Sequence, residues 1–409
     1  MRRMLVVGAG IGGLTLVRAM RSTDWAVDLV EQAPRFHPLG VGIVLQPNGV
    51  RALAHLGLFG EVAAAGNQVH YLDIVRGSAH RRLSLAEVWA GVDFPTISVL
   101  RSDLHQILLR AATSTPTPTS TPTGKLAVRL GAGLVRVERP DARPIAHFTD
   151  GSAAEYDVVV GADGVHSTLR RALAPGAVAV STGLYYVRFQ SSGISGQRDS
   201  ASDTDSRPAD TWRTIETADA SYGYIPLGTD RWHCFLQLRT GAESVERDHV
   251  DPARLRAFLA GQDADLAEAF DLRIGAPHCG YAHLVRPISW GRGACALMGD
   301  AAHAVSPTLS EGGSLAIEDA VVLAASLDGV AVDEGLAAYR HARHPIVAWA
   351  YRMSLAQVNS ARRAREPVWA IDTQSATTHL RQMYEPLRAE PVGQAPLGER
   401  PSRAISSSS

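Results

Sequence analysis

Cysteine, net charge and long apolar runs are all scarce in this chain of 409 residues. The three cysteines, Cys234, Cys279 and Cys295, have no paired spacing, which excludes a disulfide framework or a zinc site and favours a reducing compartment. No apolar run approaches the roughly 20 residues of a membrane span. A formal net charge of -1 leaves no positive surplus for nucleic acid. We therefore expect a cytoplasmic protein without a membrane span, a metal site or a nucleic acid partner.

The N-terminal segment predicts one strand–helix–strand unit. Met4–Val7 is a short apolar run typical of a buried parallel strand, Leu14–Arg21 has helical spacing, and Ala26–Glu31 predicts a second strand. Between the first strand and the helix lies Gly8-Ala9-Gly10-Ile11-Gly12-Gly13, a G-x-G-x-x-G pattern. Its first glycine permits a tight turn, its second lets backbone approach a pyrophosphate, and its third allows close helix–strand packing. This context favours dinucleotide binding over a glycine-rich turn without a ligand.

Glu31 ends the second predicted strand, 18 residues after Gly13. A carboxylate at this position accepts hydrogen bonds from a ribose and disfavours a 2′-phosphate. The bound adenosine would then belong to FAD or NAD rather than NADP.

Two later glycine–aspartate motifs each follow a predicted buried strand. They are Gly161-Ala162-Asp163-Gly164 and Gly299-Asp300. Taken singly, each aspartate is better explained as a turn or helix cap, although Asp300 is also placed to bind a polyol hydroxyl. Gly312 and Gly313 begin a further predicted helix, where free N–H groups can face an acceptor that gains negative charge, such as the pyrimidine edge of a reduced flavin. His303 is expected to pack or cap rather than to act in catalysis.

Together and in this order, the motifs resemble those of the class A flavoprotein monooxygenases, the aromatic-hydroxylase family with the para-hydroxybenzoate hydroxylase fold. The resemblance covers about residues 1–365 and includes Gly40-Val41-Gly42-Ile43 and Arg101-Ser102-Asp103. It implies that Arg101 contacts FAD, that Asp163 serves both FAD and the nicotinamide donor, and that Asp300 holds the ribityl chain. The residues expected to bind FAD are Gly8, Gly10, Ile11, Gly12, Gly13, Glu31, Gln32, Gly42, Ile43, Arg101, Asp163, Asp300, Pro307, Ser310, Glu311, Gly312, Gly313 and Ser314.

Glu311 departs from the family pattern. Many relatives carry Gln-Gly-x-Asn where this chain has Glu311-Gly312-Gly313-Ser314. An ionised carboxylate beside the flavin pyrimidine would oppose the negative charge that develops on reduction. We therefore predict that the Glu311 side chain points away from the flavin or is protonated, and that only its backbone serves the cofactor.

From Leu184 to Leu238 the sequence changes to β-rich, aromatic segments, which predict a separate and largely antiparallel sheet. The predicted fold class is α/β, with a Rossmann-like FAD-binding domain, an interleaved antiparallel-sheet substrate domain and C-terminal helices. The predicted bounds are 1–70, 97–177 and 280–332 for the FAD-binding domain, 71–96 and 178–279 for the substrate domain, 333–389 for the helices and 390–409 for a disordered tail. Polar loops are predicted at 113–124 and 196–210.

Candidate residues for the substrate wall come from the predicted antiparallel sheet. They are Tyr185, Arg188, Tyr222, Tyr224, Pro226 and Phe235. Aromatic residues on strands mostly pack against their neighbours, so we expect only a minority of the six to touch a substrate.

The resemblance implies that NADH or NADPH reduces FAD and that a flavin C4a-hydroperoxide then hydroxylates an aromatic or polyketide-like small molecule. Because the cofactor carries this chemistry, no catalytic side chain is nominated. Three alternatives stay open: an epoxidase, a non-redox cyclase or isomerase of secondary metabolism on the same scaffold, and a flavin-binding regulatory protein. The arginine-rich C-terminal helices also suggest a homodimer contact.

Overall fold

The computed structural model describes residues 1–36, 40–114, 126–192, 209–217, 220–228, 230–238, 252–262, 264–286, 290–362 and 373–389. The predicted loops at 113–124 and 196–210 lie largely outside these residues. The predicted tail at 390–409 lies entirely outside them. The strands are β1 (Arg3–Val7), β2 (Ala26–Glu31), β3 (Gly42–Leu45), β4 (Asn67–Val69), β5 (Tyr71–Arg76), β6 (Ala79–Ser84), β7 (Thr96–Leu100), β8 (Leu126–Leu130), β9 (Leu134–Glu138), β10 (Ile145–Phe148), β11 (Ala153–Glu155), β12 (Val158–Gly161), β13 (Ala179–Ser192), β14 (Thr211–Glu216), β15 (Ala220–Pro226), β16 (Arg231–Leu238), β17 (Arg273–Val285), β18 (Gly291–Arg292) and β19 (Cys295–Leu297). The helices are α1 (Ile11–Met20), α2 (Pro47–His55), α3 (Phe59–Ala65), α4 (Leu85–Val88), α5 (Arg101–Thr113), α6 (Thr168–Leu173), α7 (Pro252–Gln262), α8 (Ala264–Asp271), α9 (Asp300–His303), α10 (Gly312–Leu327), α11 (Val332–Arg362) and α12 (Thr373–Met383).

The apolar runs of the sequence form a parallel sheet. Its strands lie in the order β18-β19-β12-β1-β2-β8, and all neighbours pair in parallel except β18 with β19. Met4, Leu5 and Val6 of β1 are fully buried, and burial of each such side chain contributes roughly 1.5–3 kcal/mol. Because β12 and β2 flank β1, the loops after β1 and β12 leave the sheet side by side at its carboxyl edge, where open α/β sheets bind their ligands.

A second sheet lies beside this edge. Its seven strands have the order β17-β13-β16-β15-β14-β5-β6 and are antiparallel apart from the β14–β5 pair. One face packs on α7 and α8 through a buried cluster that includes Phe189, Leu236 and Phe270. The strands come from three separate parts of the chain, and β17 continues to Val285, past the predicted domain boundary at 279.

Two small sheets and several helices complete the fold. The strands β3, β7 and β4 form one small sheet, and β9, β10 and β11 form another. Helix α10 packs between α1 and α11, while α12 packs on α4 and β6. Within the described ranges, every helix is too short or too polar to span a bilayer.

Candidate active site

A cavity of about 730 Å³ joins the carboxyl edge of the parallel sheet to one face of the antiparallel sheet. Segments that are distant in sequence meet at it, because they follow neighbouring strands β1, β12 and β19. Most of the residues predicted to bind FAD line this cavity: Gly10, Ile11, Gly12, Gly42, Ile43, Arg101, Asp300, Pro307, Ser310, Gly312 and Gly313. We call this part of the cavity the FAD end.

The glycine-rich loop is built by close backbone approach. Gly8 has φ +101°, and a Cβ there would lie 2.5 Å from the carbonyl oxygen of Ala162. A Cβ on Gly13 would lie 1.9 Å from the carbonyl oxygen of Gly8, so both positions require glycine. Gly10 has open space around it, and the first turn of α1 has no side-chain cap. Uncapped N–H groups at a helix N-terminus, facing a cavity, are suited to bind phosphate.

Glu31 fastens this loop to the end of β2. Its two carboxylate oxygens accept hydrogen bonds from the backbone N–H groups of Ala9 and Ala33, both over 2.9 Å. A carboxylate has further lone pairs, so these bonds are compatible with a ribose hydroxyl. Glu31 and the exposed Gln32 lie outside the cavity lining, and their contact with a cofactor stays a prediction.

Asp163 caps a helix. Its Oδ2 accepts hydrogen bonds from the N–H groups of Thr168 over 2.7 Å and Leu169 over 3.3 Å, at the start of α6. Its Oδ1 has no partner among the described residues. The flanking Ala162 and Gly164 line the cavity, whereas Asp163 itself does not. The structure thus shows the cap role, and the cofactor role of Asp163 is still a prediction.

Three charged side chains that line the cavity influence one another. Asp300 is exposed at the start of α9, and Arg101 begins α5. Burial lowers the pKa of Arg101, and the charge of Asp300 opposes this shift. Burial also lowers the pKa of Arg188 on β13. The charges of Tyr186 and Asp300 act to raise this pKa, and the charge of Arg101 acts to lower it further. Two guanidinium groups and one carboxylate therefore influence one another across the cavity.

The start of α10 presents backbone to the FAD end. Pro307 opens a short 3-10 turn, and Ser310 after it has φ 53°, a left-handed conformation that is costly for a residue other than glycine. This turn directs the chain into α10, whose first turn again has no side-chain cap. Gly312 and Gly313 line the cavity there, so their N–H groups are available to an acceptor.

The side chains of Glu311 and Ser314 turn away from the cavity into the protein. Glu311 is fully buried, and its Oε2 accepts a hydrogen bond from the side-chain amide of Asn48 over 3.3 Å. Burial and then the charge of Glu318 raise its pKa well above the ordinary value for glutamate. Ser314 Oγ accepts from the N–H of Gln46 over 3.1 Å, which ties α10 to α2. The Glu311 side chain therefore faces α2, and its burial favours the neutral acid; this agrees with the prediction that it points away from the flavin or is protonated.

A buried ion-pair network supports the Gly299-Asp300 turn from below. Asp319 on α10 accepts hydrogen bonds from the N–H of Gly299 over 2.9 Å and from Arg343 over 2.8 Å, and its Oδ2 lies 2.5 Å from His303 Nε2. Although burial alone would raise it, His303 and Arg343 lower the pKa of Asp319 to about 2. His303 also stacks on Trp290, with the ring centroids 5.4 Å apart. The packing role predicted for His303 agrees with these contacts.

The other part of the cavity, which we call the substrate end, is walled by the antiparallel sheet. Side chains from β5, β13, β14, β15 and β16 alternate between its two faces. The cavity face presents Leu72, Ile74, Tyr186, Arg188, Trp212, Thr214, Glu216, Ser221, Ile225, His233, Phe235 and Gln237.

This alternation corrects part of the predicted substrate wall. Arg188 and Phe235 line the cavity, but Tyr185, Tyr222 and Tyr224 lie on the opposite face, in the cluster that packs on α7 and α8. Pro226 is buried at the end of β15, outside the lining, and its carbonyl accepts from the Ser98 hydroxyl. The tyrosines alternate out of phase with Arg188 and Phe235, so the two sets cannot share one face.

Comparison with known proteins identifies the family. A family model described as FAD binding domain matches residues 2–354. The chain belongs to this FAD-binding family. A 3-amino-4-hydroxybenzoate 2-monooxygenase of Streptomyces cremeus is 32% identical over 362 residues, 86% of this chain and 85% of the relative. An FAD-dependent urate hydroxylase of Klebsiella pneumoniae is 29% identical over 332 residues, 79% of this chain and 80% of the relative.

Solved structures of this type share the fold. HpxO of Klebsiella pneumoniae, complexed with FAD and uric acid, has a TM-score of 0.75 at 22% identity, covering 94% of this chain and 93% of the other. A tetrameric 2-methyl-3-hydroxypyridine-5-carboxylic acid oxygenase has a TM-score of 0.75 at 22% identity, covering 96% and 98%. The predictions of the fold class, of FAD as cofactor and of a flavoprotein monooxygenase are confirmed.

The groups at the FAD end of the cavity suit FAD. The uncapped N-termini of α1 and α10 open on one cavity, one beside Gly10 and the other beside Gly312, and the exposed Asp300 lines the same cavity. Helix N-termini suit the phosphates and the electron-accepting edge of a flavin, while a free carboxylate suits a polyol.

Sequence reasoning missed the helical side of the substrate end. Residues of α4, α11 and α12 and their flanks complete the lining there: Leu85, Val88, Trp89, Met353, Ala356, Gln357, His379, Leu380, Met383 and Tyr384. Trp89 stacks on Tyr384 with the ring centroids 4.9 Å apart. The only sequence signal was the helical spacing of Ala376, Leu380 and Met383, which indicates a buried face but not its partner.

Proposed function

We propose that this protein uses NADH or NADPH and O₂ to hydroxylate a small aromatic or polyketide-like molecule. The observation that carries the proposal is one continuous cavity, which joins a backbone-lined end suited to FAD to an end lined by aromatic, apolar and polar side chains. A pocket whose aromatic and apolar surface carries placed polar groups is typical of sites for small molecules.

Each part of the FAD end has a role in holding the cofactor. The N–H groups at Gly10–Gly12 would bind the pyrophosphate of FAD, and Glu31 would bind its ribose. Asp300 and Arg101 would hold the ribityl chain. Gly312 and Gly313 would donate to the flavin pyrimidine edge as it becomes anionic. FAD, when bound, would take electrons from the nicotinamide and activate O₂; the protein orients the partners and excludes water.

The substrate end favours a planar ring with a few polar substituents. Trp212, Phe235 and Tyr384 supply aromatic surface, and Arg188 supplies a charged donor. The relatives named for urate and for an aminohydroxybenzoate act on rings of this kind. We infer the same class for this chain.

Turnover of the FAD-loaded enzyme with a panel of hydroxybenzoates, aminohydroxybenzoates, urate and aromatic polyketides tests the proposal. We expect one class to stimulate oxidation of NADH or NADPH with matching O₂ uptake and little peroxide. Conversion of a substrate without O₂ or reductant would instead support a cyclase or isomerase, and an epoxide product would support an epoxidase. A protein that binds FAD but oxidises NAD(P)H with no panel member would favour a regulatory role.

We also propose that the protein works in the cytoplasm as a homodimer. The absence of a spanning helix in the described residues is compatible with this location, and an oxygenase that shares its fold is tetrameric. Light scattering of the holoenzyme, with a fusion to a fluorescent reporter for location, tests both statements.

A further inference from the structure

A histidine stands on the cavity face of the antiparallel sheet at the substrate end. His233, in β16, is 7% exposed and lines the cavity. Its ring lies beside that of Phe235, with the ring centroids 6.4 Å apart. Because the two nitrogens of a neutral imidazole differ in role, the position of the proton decides what His233 can bind.

The backbone of β3 fixes the tautomer of this ring. The Gly42 N–H donates to His233 Nδ1 over 3.2 Å. A backbone N–H can only donate, so Nδ1 carries no proton and the proton of the neutral ring is on Nε2. A Cβ at Gly42 would lie 2.6 Å from the Cβ of His233, so ring and strand are in direct contact. Burial and then the charge of Arg188 lower the pKa of His233 to about 3, which keeps the ring neutral at physiological pH.

The proton on Nε2 is left for a ligand. In the part of the chain that the structure describes, His233 Nε2 has no hydrogen-bond partner. Arg188 on β13 lies directly opposite Phe235 and is therefore diagonal to His233 on the same face. Both groups are donors, and Arg188 adds a positive charge. Glu216 lies at the other end of this face, opposite Ser221.

We propose that His233 Nε2–H and the Arg188 guanidinium together bind a negatively charged oxygen on the substrate ring. This inference rests on the proposed function, because it takes this face as the substrate wall. A phenolate and a carboxylate share the required chemistry, a ring-borne anionic oxygen, whereas an ether at the same ring position lacks the charge that pairs with Arg188. His233 thereby selects substrates by the charge of the oxygen on the ring, and not by the shape of the ring.

Two substitutions of His233 separate donation to a ligand from support of the strand. His233→Asn keeps an acceptor near the Nδ1 position for the Gly42 N–H and removes the distal N–H donor. His233→Gln keeps a distal N–H and removes that acceptor. The FAD-loaded enzyme is titrated by calorimetry with 4-nitrophenol, 4-nitrobenzoate and the uncharged 4-nitroanisole.

We expect His233→Asn to weaken binding of the preferred anion about tenfold, His233→Gln to retain most of the affinity, and 4-nitroanisole to bind all three proteins equally and weakly. The preferred anion distinguishes a phenolate site from a carboxylate site. Absorption of bound 4-nitrophenol is a second readout, because the wild type should hold it as the phenolate and His233→Asn should hold less of it in that form.

Other results overturn the inference. If the wild type bound the anions and 4-nitroanisole with equal affinity, this face would not recognise a charged oxygen. If His233→Gln lost as much anion affinity as His233→Asn, or more, His233 would only support β3. Either result would overturn this inference and leave the proposed substrate end standing. Binding of none of the three probes by a holoenzyme of normal FAD content and thermal stability would reject the proposed substrate end and this inference together.

Discussion

The two ends of the cavity have surfaces of different origin, backbone at one end and side chains at the other. At the FAD end the backbone forms the surface, through Gly10, Gly12, Gly312 and Gly313 at two helix N-termini. At the substrate end side chains form the surface, from alternate positions of the antiparallel sheet and from helices that are distant in sequence. A backbone surface tolerates few residue types, whereas a side-chain surface accepts many. The first end should therefore be sensitive to single methyl groups and the second to the face on which a residue lies.

Gly13→Ala should have the largest effect, because it should lower both the stability of the fold and the FAD content of the protein. The added Cβ would fall 1.9 Å from the Gly8 carbonyl oxygen, inside the central unit of β1 and α1, where neither partner can move. We expect a loss of about 3 kcal/mol or more in the free energy of unfolding, and little FAD-loaded protein. Thermal unfolding and the ratio of flavin to protein absorbance measure both.

Gly10→Ala is the matched control at the same loop. A Cβ there meets nothing within 4 Å, but it enters the space expected for the pyrophosphate. The apoprotein should unfold as the wild type does, and its affinity for FAD should fall. If Gly13→Ala instead folded and bound FAD normally, the backbone description of the FAD end would be wrong.

Asp319→Asn tests the side-chain network beneath the FAD end. The change removes the buried charge that pairs with Arg343 and contacts His303, and we expect a loss of about 3–5 kcal/mol in urea unfolding. Because the folded pKa of Asp319 is lowered to about 2, its contribution is present above the ordinary aspartate range and is lost as pH falls toward that value. The variant should lack this part of the acid dependence. Asp141→Asn, at an exposed pair with Arg292, is the control and should leave stability unchanged.

A pair of aromatic substitutions tests the face assignment of the substrate end. Tyr222 is buried against α7 and α8, so Tyr222→Ala should cost about 3 kcal/mol of stability and alter ligand affinity little. Phe235 lines the cavity, so Phe235→Ala should raise KM for the hydroxylated substrate with a smaller loss of stability. The opposite pattern, measured by thermal unfolding and steady-state kinetics, would return Tyr222 to the substrate wall.

The contrast between the ends also explains what the sequence could predict. Gly8 is required by its own positive φ and Gly13 by its approach to the Gly8 carbonyl, and because both requirements are local, the spacing of the two glycines after an apolar strand is visible without a structure. The alternation of residues along each strand is visible in the sequence too. Which alternate set faces the cavity depends on where α7 and α8 pack, and this is decided by tertiary structure. The two helices cover the face that carries Tyr185 and Tyr222. His233 gave no local signal, because its tautomer is fixed by Gly42 from a distant strand.

Glu311 supplies the smallest expected effect and the sharpest test of the FAD end. It lies in the motif that presents backbone to the cavity, yet its side chain is buried against Asn48 and its pKa is raised by burial and by Glu318. Glu311→Gln preserves shape and the neutral state, so the flavin reduction potential should stay the same and stability should change by about 1 kcal/mol or less near the acid limit. A large upward shift of the potential would show that an ionised carboxylate faces the ring.

The pH dependence of Glu311→Gln has a definite sign. A carboxyl whose folded pKa is raised holds its proton in the folded state while the unfolded chain releases it, so the wild type loses stability as pH rises above the ordinary glutamate range. The Gln variant has no such proton to release, and its stability relative to the wild type should grow with pH until the folded carboxyl ionises. Urea unfolding of both proteins across this range measures the difference. Parallel curves would show that the pKa of Glu311 is not raised in the folded protein, and would contradict its assignment as a buried neutral acid.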